Sequence, residues 1–306
     1  MHIVVIGGNG QVGWEIQRAL APLGTCAVLT RSESQKCCVD LGQPEALGEI
    51  ILSLRPNVIV NAAAYTAVDS AEAQPEKAAL ANASALRVLA AKAKYLGAWL
   101  VHYSTDYVFD GTGRGPWQES DPTGPLNVYG QTKLDGERAI QQSGCCHLIF
   151  RTSWVYACRR ENFLRTMLRR SAERDSLQVI DDQYGAPTSA ELIADTTALA
   201  LRQCLAQEQD GGLYHLAARG ETTWFGYARH VIRTARALGW PVRVADEAIQ
   251  PVSSDAFPTA AKRPRNSRLD TSRLESTFGL RMPDWQIGVD RAVKEILSCE
   301  IPEKNT

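Results

Sequence analysis

The stretch Ile3-Val4-Val5-Ile6-Gly7-Gly8-Asn9-Gly10-Gln11-Val12-Gly13 stands near the start of the 306-residue chain. A short β-branched run is followed at once by glycines at 7, 10 and 13. Helical periodicity then runs from about Gln11 to Ala21, with Val12, Ile16, Ala19 and Leu20 on one side. A strand that turns through glycine into a helix brings bare backbone close to a pyrophosphate. The N–H groups of the helix N-terminus then hold its charge. The spacing therefore predicts a dinucleotide site at Gly7, Gly10 and Gly13.

Outward from this turn, strand and helix keep alternating. A strand at Cys26–Leu29 ends in Thr30-Arg31-Ser32-Glu33. Arg31 and Ser32 suit the 2′-phosphate of NADPH, whereas Glu33 keeps the ribose of NADH open. A helix near 44–54 and the buried-type strand Asn57–Asn61 lead to Ala62-Ala63-Ala64-Tyr65-Thr66. An Ala-rich helix is expected over about 70–96, and a strand over 98–103 that runs into Ser104-Thr105-Asp106. Such alternation predicts an α/β fold, a Rossmann-type doubly wound parallel sheet whose ligands lie beyond the carboxyl ends of the strands. The Gly turn, Ala62–Thr66 and Ser104–Asp106 all fall on that edge.

After a Gly/Pro-rich loop over 110–127, Asn127-Val128-Tyr129-Gly130-Gln131-Thr132-Lys133 opens another helix. Tyr129 and Lys133 stand four apart, on one helical face. A phenol beside an ammonium is suited to moving a proton, and the positive charge should lower the phenol pKa. With a nicotinamide site nearby, Tyr129 would protonate a carbonyl oxygen as hydride reaches its carbon. Ser104 or Thr105 would polarise that oxygen. Further strands are expected at His147–Arg151, 177–180 and 212–216, with helices near 161–174 and 189–207. Beyond 217 the alternation ends, leaving helices near 224–238, 270–277 and 286–298. The reading divides the chain into a dinucleotide domain, 1–216, and a smaller α+β substrate lobe, 217–306, with parts of 152–176 open to either.

Composition narrows the partners. Lys+Arg of 33 against Asp+Glu of 34 leaves a net charge of -1, so no field argues for nucleic acid or an anionic membrane. No apolar run approaches the roughly 20 residues of a membrane span. The eight cysteines, which include Cys37-Cys38 and Cys145-Cys146, form no zinc or disulfide framework and suit a reducing cytoplasm. The five histidines (2, 102, 147, 215 and 230) show no ligand spacing and read as structural.

Gly7-x-x-Gly10-x-x-Gly13, Asn61-Ala62-Ala63-Ala64, Tyr103-Ser104-Thr105-Asp106-Tyr107-Val108-Phe109 and Tyr129-x-x-x-Lys133 together resemble the extended short-chain dehydrogenase/reductase superfamily. Arg151–Tyr156, Asp182–Thr188 and Arg263-Pro264-Arg265-Asn266-Ser267-Arg268-Leu269 narrow the resemblance to its dTDP-4-dehydrorhamnose reductase family. That resemblance implies NADPH- or NADH-dependent reduction of the C4 keto group of a dTDP-4-keto-6-deoxy sugar. Gly10, Gln11 and Val12 would meet the pyrophosphate, Asp40 and Leu41 the adenine end. Ala64, Tyr65, Thr66, Tyr103 and Lys133 would line the cofactor. Thr105, Asp106 and Trp154, with Asn266, would hold the sugar nucleotide, with Tyr129 as acid, and the planar guanidinium groups of Arg263, Arg265 and Arg268 are suited to its diphosphate. It also implies a homodimer and, as in some family members, a Mg²⁺ ion at a Glu-rich dimer contact whose positions Glu15, Glu191 and Glu295 match. Family members often carry an acid where Arg31 stands, which leaves NADPH and NADH both open. A 4,6-dehydratase would need Asp-Glu after Thr105, and Tyr107 breaks that pair. Another sugar-nucleotide reductase or epimerase, or a non-catalytic regulatory subunit of this fold, remains the alternative. Thr105, Tyr129 and Lys133 favour catalysis.

Overall fold

The computed structural model describes residues 1–31, 39–207 and 209–300. Ser32, Glu33 and the pair Cys37-Cys38 lie outside the described residues. The first half alternates as expected: β1 (His2–Ile6), α1 (Gln11–Leu20), β2 (Thr25–Leu29), α2 (Pro44–Leu54) and β3 (Val58–Asn61). Helices α3 (Val68–Ala73), α4 (Pro75–Ala79) and α5 (Ala85–Leu96) follow, with a π turn at Leu80–Ser84. Next come β4 (Trp99–Thr105), α6 (Val128–Ser143) and β5 (His147–Thr152). Then β6 (Val155–Tyr156), α7 (Phe163–Glu173), β7 (Leu177–Ile180), β8 (Tyr184–Gly185), β9 (Thr188–Ser189), α8 (Ala190–Leu205) and β10 (Gly212–His215). Last are β11 (Thr222–Thr223), α9 (Trp224–Ala237), β12 (Ile249–Val252), α10 (Ser272–Phe278) and α11 (Trp285–Glu300).

Six parallel strands form the main sheet in the order β10-β5-β4-β3-β1-β2. The order reverses between β1 and β3, so the ligand crevice of a doubly wound sheet opens there. Both faces are covered, which explains the uninterrupted apolar strand. Ile3 and Val5 of β1 join one core with Ile16 and Leu20 of α1 and Ile193 and Leu201 of α8. Val4 and Ile6 join the opposite core, with Leu47, Ile51, Leu86 and Leu89. Among the described residues no helix is long and apolar enough to cross a membrane.

Two expectations change. The single helix over 70–96 is broken, because Pro75 supplies no N–H and pushes Gln74 out of helical geometry (φ −136°, ψ 54°). The π turn then wraps Asn82, whose amide binds both backbone groups of Tyr65, at 2.8 and 3.1 Å, and the Thr132 hydroxyl at 3.1 Å. Packing, secondly, does not follow the boundary at 216/217. A separate core gathers Tyr156, Leu164, Leu168 and Val179 with Tyr227, Val231, Ile249, Trp285 and Val293. Meanwhile Leu274, Phe278 and Met282, from the region assigned to the substrate lobe, pack on the main sheet. The pairing β7–β12 joins two segments of that separate core and was invisible in a Pro-punctuated sequence.

Candidate active site

The Gly turn is built by close backbone approach. Gly7 has φ +82°, and a Cβ on it would meet the Ala63 Cβ at 2.8 Å. A Cβ on Gly13 would lie 2.2 Å from the Gly7 carbonyl oxygen. Gly10 caps α1 in extended geometry with no side-chain hydrogen bond, so no side-chain acceptor from the cap meets the amides of Gln11, Val12 and Gly13. That geometry suits an anion. One wall was missed by sequence reading: Arg160 donates to the Asn9 carbonyl (2.9 Å) and Asn162 to Gln11 Oε1 (3.0 Å). Arg31 is exposed just past β2, Asp40 turns the backbone at Gly42 (2.9 Å), and Leu41 is buried. Ala64, Tyr65 and Thr66 follow β3 along the same edge.

The end of β4 separates two hydroxyls that sequence left as alternatives. Successive strand side chains point to opposite faces. Ser104 donates to Glu137, a buried carboxylate held by Arg151 at 2.7 Å. Thr105 instead hydrogen-bonds Tyr129, and also donates to Asp106 Oδ1 at 3.1 Å. Tyr129, Lys133 and Glu137, each one turn apart on α6, thus form a stripe facing β4 and β5. Asn127 starts that helix, accepting from the Gly130 amide (2.8 Å) and donating to the Lys262 carbonyl (2.8 Å).

The electrostatics correct one expectation. Burial pushes the Tyr129 phenol up to about 12, with the Thr105 hydrogen bond pulling down and Asp106 pushing up. Lys133 does not act on it, because Nζ turns back to the sheet, donating to the Tyr103 carbonyl at 2.6 Å and lying 3.1 Å from His102 Nε2. Burial brings Lys133 itself down to about 7, against the pull of Glu137. The Tyr103 ring packs on Phe150 and its hydroxyl pairs with Thr197 (2.9 Å), so its carbonyl is what meets Lys133. Asp106 is buried with Oδ2 unpartnered, and burial pushes its carboxyl up to about 7 despite bonds from Ser267 and Thr105. A buried carboxyl with a spare oxygen can take a ligand hydroxyl.

Trp154 adopts φ +50° and stacks on Trp224 at 3.7 Å between centroids. A left-handed aromatic residue costs on the order of 1–3 kcal/mol and persists where surroundings impose it. Gly185 makes room, since a Cβ there would meet the Trp154 ring at 2.6 Å. Trp224 carried no signal in the sequence. The arginines of the last motif are already paired. Arg263 grips Asp69 through two bonds (2.6 and 3.0 Å) and holds that carboxyl down at about 2. Arg268 meets Glu221 (2.9 Å), and Arg265 lies 3.7 Å from Asp182. Asn266 fastens the 112–115 loop, donating to the carbonyls of Thr112 and Gly115 (3.2 and 2.8 Å). A cavity of about 460 Å³ opens between Arg114, Asp182, Tyr184, Arg265, Asn266 and Arg268.

The three acidic side chains already have neighbours within the chain. Glu15 pairs with Arg18 (3.3 Å) and Glu191 with Arg291 (2.7 Å), while Glu295 lies near the Cys158 thiol, which donates to the Ala292 carbonyl. Among the described residues no three His, Cys, Asp or Glu side chains are placed to hold an ion. The Mg²⁺ expectation therefore gains no support, because guanidinium groups answer two of the three carboxylates.

Comparison with known proteins shows the family. The family model of the RmlD substrate binding domain matches residues 1–298. The dTDP-4-dehydrorhamnose reductase of Escherichia coli K12 is 52% identical over 298 residues, covering 97% of this chain and 99% of that protein. That of Burkholderia thailandensis is 46% identical, covering 97% and 100%. Among solved structures, a dTDP-4-dehydrorhamnose reductase from Clostridium acetobutylicum superposes with a TM-score of 0.86 at 33% identity, covering 97% of this chain and 99% of that one. One from Bacillus anthracis, in complex with NADP, gives 0.85 at 30%, covering 96% and 99%. The chain belongs to the RmlD substrate-binding family, that of the dTDP-4-dehydrorhamnose reductases.

Proposed function

We propose that this chain reduces the C4 keto group of dTDP-4-dehydro-6-deoxy-L-mannose to dTDP-L-rhamnose, with NADPH as the preferred donor. The observation that carries the reading is the convergence of Thr105 and Tyr129 at the carboxyl end of β4, beside the Gly7–Gly13 turn. When bound, the nicotinamide supplies hydride. Thr105 donates to the substrate carbonyl and polarises it, and Tyr129 gives the proton as negative charge builds on that oxygen. A phenol raised by burial stays protonated until then. Asp106 takes a sugar hydroxyl, and Trp154 with Trp224 forms an apolar wall for the 6-deoxy sugar. Arg263 and Asn266 shape the site from behind, given the partners they already have.

Two lobes are part of the proposal: a cofactor lobe built on the main sheet, and a discontinuous substrate lobe from 154–180, 218–252 and 285–300. So are a homodimer and residence in the cytoplasm, where the free thiols at Cys26, Cys145, Cys146, Cys158, Cys204 and Cys299 would stay reduced. The test is consumption of NADPH by the purified chain in the presence of the 4-keto-6-deoxy sugar nucleotide, with NADH and EDTA as parallel arms. Absence of turnover with both cofactors sinks the reading.

Two variants probe its parts. Arg31→Asp removes a guanidinium suited to the 2′-phosphate and supplies a carboxylate for a ribose hydroxyl. The NADPH/NADH ratio of kcat/KM should fall by about tenfold or more; an unchanged ratio refutes the role. Gly185→Val drives a side chain into the Trp154 ring. KM for the sugar nucleotide should rise roughly tenfold with NADPH affinity preserved. An unaltered KM would remove Trp154 from the substrate wall.

A further inference from the structure

His102 was read as structural, yet it sits between two active-site elements. Asn61 ends β3, His102 lies in β4 and Lys133 in α6, and all three are almost fully buried. Asn61 Oδ1 accepts from the Ala63 amide at 3.3 Å, which turns Nδ2 toward His102 Nδ1 at 3.2 Å. An amide N–H only donates, so Nδ1 is the acceptor and the neutral ring carries its hydrogen on Nε2. That hydrogen faces Lys133 Nζ at 3.1 Å. An ammonium has no lone pair to receive it, whereas a neutral amine does and still donates to the Tyr103 carbonyl.

We infer that His102 is a positioning residue for Lys133: with Asn61 it fixes both where the amine sits and the proton it holds. The inference rests on reading Lys133 as part of the reductase site. The charged and titratable groups around the amine are few. Glu137, one turn along α6, favours the ammonium but is itself shared with Arg151 of β5 and Ser104 of β4. Tyr129 lies one turn back on α6, and Tyr103 offers only its carbonyl. Burial keeps His102 uncharged, and whenever Lys133 carries a proton its charge pushes the same way. The chain of contacts begins at Ala63, which packs against Gly7, so the tautomer is set from the cofactor turn itself.

The free full-length chain, with isotope-labelled histidine and lysine side chains, tests this by NMR. His102, assigned by the signal lost in His102→Phe, should appear as the Nε2–H tautomer, and Lys133 should titrate near neutrality. In His102→Phe the repelling N–H is gone. In Asn61→Asp the carboxylate captures the Nδ1 hydrogen and leaves an Nε2 lone pair facing Lys133. Both changes should raise the Lys133 midpoint by about one pH unit or more. The limb of the kcat/KM profile for NADPH that Lys133 governs should move with it. An Nδ1–H tautomer, an imidazolium, or an unmoved midpoint in either folded variant overturns the inference. Failure of the wild-type chain to reduce the sugar nucleotide would instead sink the functional reading, and the NMR result would stand on its own.

Discussion

Tyr129→Phe should lower kcat roughly 10²–10⁴-fold, the usual contribution of a positioned general acid. The ring stays in place, packed edge-on against Tyr107 at 5.7 Å, so NADPH affinity and thermal stability should barely change. The Thr105 hydroxyl that loses its partner still has Asp106 to donate to. Loss confined to kcat is the signature of an interaction made in the transition state. Steady-state kinetics beside a cofactor-binding titration measure it. A variant with wild-type kcat would mean that another group protonates the oxygen. Thr105→Val provides the comparison: a smaller fall in kcat is expected, because the proton donor survives while polarisation is lost.

Arg151→Met should cost about 3–5 kcal/mol of stability, the penalty for leaving one partner of a buried pair uncompensated. Arg151 and Glu137 side chains are 5% and 1% exposed, so the pair has no water to fall back on. Glu137 would retain Ser104 alone. The guanidinium also lies over the Phe109 ring, 5.0 Å from its centroid, adding to the loss. Urea unfolding measures the change. The double variant Glu137→Met/Arg151→Met should recover most of it, since an apolar pair of similar volume leaves no buried charge. A single variant within about 1 kcal/mol of wild type would show that the pair is not what pins α6 to the sheet.

Much of the cofactor half was legible because its signals are local. Alternation of buried runs and helical periods specified β1 through β5 and their helices, and glycine spacing marked the turn. Four-residue spacing put Tyr129 and Lys133 on one face of α6, as the structure has them. Where neighbours in space are distant in sequence, the reading ran out. Asn82 and Tyr65 are joined across a π turn that Ala-rich periodicity cannot reveal. Trp224 meets Trp154 from a helix seventy residues on, and Asp69 claims Arg263 from the far end of the chain. The expected pull of Lys133 on Tyr129 failed for the same reason: spacing places two residues on one face but does not say which acceptor each finds.

The sequence by itself determined the parallel sheet, the strand-to-helix turn and the residue types needed for carbonyl reduction, since these follow from periodicity and short-range spacing. Tertiary structure alone decided between Ser104 and Thr105, because the pleat sends one to Glu137 and the other to Tyr129. It likewise decided the surroundings of Lys133, buried and held by groups from β4 and α6 that meet only when the chain is folded. Charge and hydrogen-bond partners are properties of the assembled interior, where desolvation magnifies contacts that a linear pattern does not encode.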